Sequence, residues 1–422
     1  MKKLTGIIIL ILLFAFVGSF VFEGNVMAKA EIEFWTMQLK PTFTDYINGV
    51  IEDFELQNPN IKVKWVDVPW ADTEKKILAA YSAGTAPDVA NLNVPFSMQL
   101  AELDALVDMD DALSQEVIEK YFPTVWKANT YNNKTHALPW YLSTSVTMYN
   151  RAIFEEAGLD TDNPPQRYDE LLKMGRAIKE TTGKYIFLPP IAETGRYLEY
   201  MAREGILLLN DDRTKAGFNT PKSVEFLQLW VDMFSEGLIP RETVTEGHNT
   251  AVDYYQSGDA AVLLTGPQFL TRIKENAPEI YENTGVVPEI TGDGNKVGVA
   301  VMNIVVLKNS EYRNEALKFA TFITNDKNQL DFCKLTTILP STREAAQAPF
   351  FTDIDSTSVE DVARKVSAEQ LTRAENLIPP LKDQNKLNEV INQMVQSALL
   401  EIKTPEEALN DAEAEWNKIL AQ

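Results

Sequence analysis

A chain of 422 residues with 45% hydrophobic side chains is too long for one compact core and apolar enough for two, which excludes a disordered protein. Its formal charge of −22, more negative still beyond residue 30 because Lys2, Lys3 and Lys29 outnumber Glu23, disfavours nucleic acid and anionic membrane surfaces as partners. The single cysteine, Cys333, excludes a disulfide framework, and its apolar helical surroundings read as core.

Lys2 and Lys3 precede an unbroken apolar run, Ile7 to Val17, and Ala28-Lys29-Ala30 offers small residues at cleavage spacing. Residues 1–30 therefore read as a secretory signal cleaved near Ala30, with an uncleaved membrane anchor as the alternative. In "EIEFW", Ile32 and Phe34 alternate with Glu31 and Glu33, which predicts a strand ending at Trp35. "TFTDYINGVIEDFELQNPN" sets Phe43, Ile47, Val50, Ile51 and Phe54 at helical spacing and stops at Asn58-Pro59. "IKVKWVDV" is a second strand, "ADTEKKILAAYSAG" a helix closed by Gly84, and "PDVANL" a third strand. The β-α-β-α-β order is that of a parallel sheet covered by helices.

"HALPWYLSTSVTMYN", residues 136 to 150, places Trp140 beside Tyr141. Strand neighbours point to opposite faces, so one core holds only one of these rings unless the chain leaves the sheet there. Further on, "PPQRYDELLKMGRAIKET" is helical, "KYIFLP" and "AAVLLTG" are strand-like, and "VVPEITGDGNKVGVAV" reads as a hairpin around Gly292-Asp293-Gly294. A last helix opens with a capping box, Thr404-Pro405-Glu406-Glu407, and buries Leu409, Ala412, Trp416 and Ile419.

In open parallel sheets, ligands bind beyond the carboxyl ends of the strands. Those ends carry Trp35 and Gln38, Trp70, Asn93, Trp140 and Tyr141, then Gly266 and Gln268; Asp88 is added as a hydroxyl acceptor. Aromatic faces beside amides and hydroxyls suit a neutral, polyhydroxylated ligand such as a sugar. Trp65, Trp126, Trp230 and Trp416 instead fit core patterns.

Catalytic patterns are weak. "AYSAG" around Ser82 lacks the leading glycine of a hydrolase elbow, and His136 and His248 have no partners at metal spacing. "GDGNKVG" lacks the end of a P-loop, and "DTDNPP" has Pro where a calcium loop needs Gly. The expectation is a binding protein, not an enzyme, with no cofactor and no metal. Among 61 acidic residues a glycosidase carboxylate pair is not excluded by counting, so a secreted glycoside-active enzyme is the alternative, as is the same fold with a polyamine.

Over nearly its whole length beyond residue 30, the chain resembles the extracellular solute-binding proteins of ABC importers, within the carbohydrate-binding group that includes maltose-binding protein. The resemblance rests on "ILAAYSAGTAPDVANL", "HALPWYLSTSVTMYNRAIFEEAGLD", "YYQSGDAAVLLTGPQF", "LKFATFIT" and "EEALNDAEAEWNKIL". It implies an α/β, two-lobed periplasmic-binding-protein fold, each lobe a mainly parallel sheet flanked by helices, with the ligand cleft between them. The implied lobes are residues 31–142 plus 298–339 and residues 143–297 plus 340–422, with the first crossover between Leu142 and Thr147. The implied function is capture of a sugar or oligosaccharide by lobe closure and delivery to a membrane-embedded permease, by a periplasmic or extracellular monomer. Trp140 and Tyr141 would then stand at the cleft. Relatives often carry Trp after the Gly-Pro matching Gly266-Pro267, and here Gln268 stands there.

Overall fold

The computed structural model describes residues 30–193, 195–353, 358–378, 381 and 383–421, so the expected signal segment lies outside the described residues. Strand β1 (Ala30–Met37) buries Ile32 and Phe34 and turns Glu31 outward, as the alternation requires. The Thr44–Gln57 helix returns the chain with Ile47, Val50 and Phe54 inward, and β2 (Ile61–Val68) pairs with β1 in parallel. The Trp70–Ala83 helix ends on Gly84 at φ 72°, a left-handed cap that glycine adopts without a Cβ clash. Strand β3 (Val89–Asn93) then pairs with β1 from the other side, also in parallel.

A tight hairpin, β4 (Thr130–Tyr131) with β5 (Lys134–Thr135), turns on Asn132 and Asn133, both at positive φ. Strands β6 (Leu138–Thr144) and β7 (Val146–Asn150) follow, separated by Ser145 alone, yet they belong to different sheets. The remaining strands are β8 (Val262–Thr265), β9 (Thr284–Pro288), β10 (Val297–Val306), β11 (Leu339–Pro340) and β12 (Ala374–Glu375). The first sheet runs β11-β6-β10-β3-β1-β2, with β12 added to β10, and the second runs β8-β7-β9.

Two large cores result. One gathers Phe34, Phe54, Trp140, Phe319 and Phe332 on the first sheet; the other gathers Tyr168, Tyr197, Phe226, Trp230 and Trp416 on the second. Cys333 is buried in the first core, and the Pro405–Leu420 helix begins with the expected capping box and buries Leu409, Ala412 and Trp416.

Strand directions depart from the expectation of a mainly parallel sheet in each lobe. In the first sheet β10 runs antiparallel to β3 and β6, and in the second β7 runs antiparallel to both neighbours. Strands β8 and β9, joined through the Phe269–Asn276 and Pro278–Glu282 helices, run parallel to each other, and β7, which enters directly from the first sheet, is inserted between them in the opposite direction. The expected Gly292-Asp293-Gly294 hairpin is absent as well: β9 stays in the second sheet while β10 crosses into the first. Asp293 is held instead by Arg167 at 3.0 Å and Lys222 at 2.9 Å. The stretch "KYIFLP" makes a single bridge, Tyr185 to Ala260. Beyond Pro340 the chain touches both lobes: Phe351, Leu371 and Ala374 pack in the first core, Ala363 packs with Val146 and Met148 of the second sheet, and from Leu387 the chain lies in the large second core.

The paired rings of Trp140 and Tyr141 have a different explanation from the one expected. Pro139 pairs with Asn303 and Tyr141 with Met302, so Trp140 is the extra residue of a β-bulge. The bulge breaks the alternation, and both rings lie against Phe332, at centroid distances of 5.2 and 5.3 Å. Pro139 does not end the strand, because the Ser341 hydroxyl donates to its carbonyl at 2.6 Å and satisfies the polar group that the bulge frees.

Candidate functional site

A cavity of about 1090 Å³ lies between the two lobes, lined by the Trp70–Ala83 and Val94–Glu102 helices on one side and the Arg196–Glu204 and His248–Gln256 helices on the other. Strand β10 and the β6–β7 crossover form its floor. A shallower depression, between Asn325–Lys334 and Glu344–Ala348, touches the first lobe only and is rimmed by the Lys327, Asp331 and Lys334 ion pairs.

The structure brings Trp70, Asn93, Gly266 and Gln268 to the cavity, as expected from the strand ends. Trp70 begins its helix with an indole 46% exposed; its backbone N–H donates to Gln38 Oε1 at 3.1 Å. Gln38 therefore holds Trp70 rather than lining the space. Asn93 caps the Val94–Glu102 helix, its Oδ1 accepting from the Phe96 N–H at 2.9 Å. Gln268 reaches across the lobes, where its Oε1 accepts from Ser143 Oγ at 3.4 Å, and any side chain at Gly266 would collide with it.

Besides Gln38, four expected contacts are corrected. Trp140 is 0% exposed in the first core, and Tyr141, partly buried, packs beside it, both turned inward by the bulge. Trp35 lies along β1 away from the cavity, its Nε1–H donating to Glu33 at 2.5 Å. Asp88 precedes β3, at the opposite end of that strand from Asn93; its carboxylate accepts from the Glu33 N–H at 2.7 Å and from Ser310 Oγ at 2.5 Å. It is a structural tie.

The second lobe contributes a chain of charges that the strand-end reading missed. Arg196 Nη2 meets Glu193 Oε2 at 3.0 Å and its Nη1 meets Glu199 Oε2 at 2.9 Å. Arg203 Nη2 then joins Glu199 Oε2 at 3.3 Å to Glu289 Oε1 at 2.9 Å. The sequence signal was present: Arg196, Glu199 and Arg203 in "GRYLEYMAREG" follow helical spacing and share one face. Burial pushes the Glu289 carboxyl up and the Arg203 charge only partly offsets this. For both arginines burial opposes the charge, and the neighbouring carboxylates outweigh it. His248 donates its backbone N–H to Glu193 Oε1 at 2.6 Å and pairs its ring with Thr265; burial first, then Arg196, holds its pKa below the usual 6.5.

Among the described residues, no group of three or more His, Cys, Asp or Glu could hold a metal ion, and no helix is long and apolar enough to cross a membrane. The cavity's charged lining balances: Arg196, Arg203 and Lys386 face Glu102, Glu199 and Asp383.

Comparison with known proteins places this geometry. The family model described as bacterial extracellular solute-binding protein matches residues 40–330. A solved structure from Synechococcus sp. MITs9220, provisionally described as an oligosaccharide periplasmic-binding protein, is 34% identical and superposes with a TM-score of 0.84 over 92% of this chain and 99% of that one. An ABC-transporter solute-binding protein from Thermotoga lettingae, solved with α-D-tagatose, is 25% identical, with a TM-score of 0.74 over 93% of this chain and 100% of that one. The arabinooligosaccharide-binding protein of Halalkalibacterium halodurans is 24% identical over 76% of this chain and 72% of its own. The chain belongs to the bacterial extracellular solute-binding protein family.

Proposed function

We propose, from this membership, that the protein is the sugar-capturing component of an ABC importer, working outside the cytoplasm and handing its ligand to a membrane permease. The observation that carries the reading is the cavity between the lobes: it is lined from both sides, its charges balance, and it mixes an exposed indole, amides and hydroxyls. A neutral polyhydroxylated ligand matches such a lining, with C–H faces on Trp70 and hydroxyls on Asn93, Gln268 and the cleft's charged groups. Its volume of about 1090 Å³ stands at the upper end of small-molecule sites, room for more than one sugar ring.

Capture follows from the two lobes meeting the ligand together. A ligand bound between them contacts both walls only when they are close, so it favours the closed form by its extra contacts there. The Ser145 crossover, one residue between two sheets, and the β9–β10 crossover are the places where the angle between lobes changes.

Thermal-shift screening against neutral mono- and oligosaccharides tests the reading. A sugar at 100 times its Kd adds about 2.7 kcal/mol of stability. Chromatography of the recovered sugar separates binding from hydrolysis: the binding protein returns it unchanged. Stabilisation by a polyamine alone, with every sugar silent, overturns the proposal.

A further inference from the structure

The charged chain in the second lobe changes character along its length. At its inner end Arg203 and Glu289 are almost closed off, with side chains 4% and 2% exposed and only Arg203 reaching the cavity's edge, and the pair serves the fold. At its outer end Arg196 and Glu199 are 28% and 31% exposed and open into the cavity. A purely structural ion pair has no reason to present both partners to an enclosed space between lobes.

The outer pair is rigid before any ligand arrives. Glu193 holds Nη2 of Arg196 from behind, and its other oxygen accepts the His248 N–H at 2.6 Å, which fixes the carboxylate from two directions. Gly247 leaves the room this needs, since a Cβ there would lie 2.9 Å from Glu193 Oε1. Glu199 takes both guanidinium contacts, from Arg196 and Arg203, on Oε2, so Oε1 receives neither. Arg196 uses two of its five N–H donors on Glu193 and Glu199, and its Nε–H is buried without a partner.

We infer that Arg196 and Glu199 are the hydroxyl-reading pair of the cleft, and that the part of the ligand they read is a neutral vicinal diol. The inference rests on the sugar reading above and adds which residues set its specificity. Two adjacent hydroxyls both accept and donate: their oxygens accept from the remaining Arg196 N–H groups, and one O–H donates to Glu199 Oε1. A carboxylate or phosphate only accepts, meets an arginine whose charge two carboxylates already offset, and is repelled by Glu199. An ammonium only donates and meets Arg196 at the same place. The pair thus selects by complementarity and by repulsion together.

The test is calorimetric titration of wild type, Arg196→Gln and Glu199→Gln with three neutral probes, maltotriose, arabinotriose and xylotriose, and with the anionic trigalacturonate. Wild type is expected to bind at least one neutral trisaccharide and to bind trigalacturonate far more weakly. Each substitution is expected to weaken the neutral trisaccharide by about 10- to 100-fold, because a hydrogen bond to a charged group is lost in a desolvated site. Glu199→Gln keeps the shape and can still accept, so its unchanged ligand-free melting temperature guards against a folding artefact. Unchanged affinity in both folded variants overturns the pair's role while the sugar reading stands. Wild-type preference for trigalacturonate overturns the neutral diol. Silence of wild type towards all four probes, together with silence of every sugar in the thermal-shift screen, overturns the sugar reading and the inference with it.

Discussion

Trp140 and Phe332 lie ring over ring, centroids 5.2 Å apart and planes inclined by 27°, with Tyr141 set edge-on to Phe332 at 5.3 Å. The contact joins the bulge of β6 to the Asp326–Cys333 helix, so the bulge is an anchoring device for that helix. Trp140→Ala is therefore expected to cost about 3 to 5 kcal/mol of stability, the usual penalty for emptying a large buried aromatic site. Sugar affinity of the folded fraction should hardly change. Urea unfolding of the ligand-free variant, beside calorimetry, checks both halves; an undiminished urea midpoint would count against the packing role.

Trp70 presents the opposite case, an indole 46% exposed on the cavity wall. Trp70→Ala leaves the core untouched, so stability should shift by only about 0.5 kcal/mol. Affinity for the best sugar of the screen is expected to fall by about 2 kcal/mol, roughly 30-fold, as for a stacking anchor at a binding surface. A variant that melts as wild type and binds as wild type removes Trp70 from the site.

Arg203 and Glu289, 2.9 Å apart, form a buried pair whose members are asymmetric in consequence. Arg203→Met strands the Glu289 carboxylate and is expected to cost about 3 to 5 kcal/mol at neutral pH, whereas Arg203→Met with Glu289→Leu should recover most of it. The pH dependence has a definite sign. Burial already raises the Glu289 pKa above 4.5, and loss of Arg203 raises it further. A carboxyl with a raised folded-state pKa contributes stability that is present below 4.5 and lost as pH rises through the folded value. The deficit of Arg203→Met should accordingly shrink as pH is lowered towards 4.5, which urea midpoints across that range measure.

Much of this was legible in the residues. The β1 to β3 unit was readable because apolar period and helix caps agree there, and the last helix because Thr404, Pro405 and Glu407 carry their own capping chemistry. Trp70, Asn93 and Gln268 reach the cavity because strand ends converge on a cleft. Trp140 was misplaced because a bulge is set by the partner strand, and nothing local to "PWY" reports that Asn303 and Met302 pair around it. The Gly292-Asp293-Gly294 turn was real as a turn signal, but which sheet receives β10 is decided by its buried run Val301 to Val306, a tertiary choice. Arg196 and Glu199 escaped because charges at helical spacing usually mark a solvated face, and only the opposing lobe turns this one into a wall.

The buried amide of Gln370 ties two crossovers together. Its Oε1 accepts the Glu289 N–H at 2.7 Å, on the way from β9 to β10, and its Nε2–H donates to the Ser145 carbonyl at 3.1 Å, between β6 and β7. Gln370 itself lies just before β12, which pairs with β10 at Val297 and Gly298. Gln370→Leu keeps the volume and removes both hydrogen bonds. The Glu289 N–H, in a residue 3% exposed, is then left unsatisfied, which should cost about 1 to 3 kcal/mol. Because both lost bonds lie at crossovers, the loss should also loosen the angle between lobes. Ligand-free small-angle scattering is expected to show a larger radius of gyration than wild type, converging on the wild-type value when sugar is bound, since contacts to both walls restore closure. Affinity should fall, because ordering a looser hinge is charged against the same contacts. A variant with a lowered urea midpoint but wild-type scattering in the absence of sugar would confine Gln370 to a packing role.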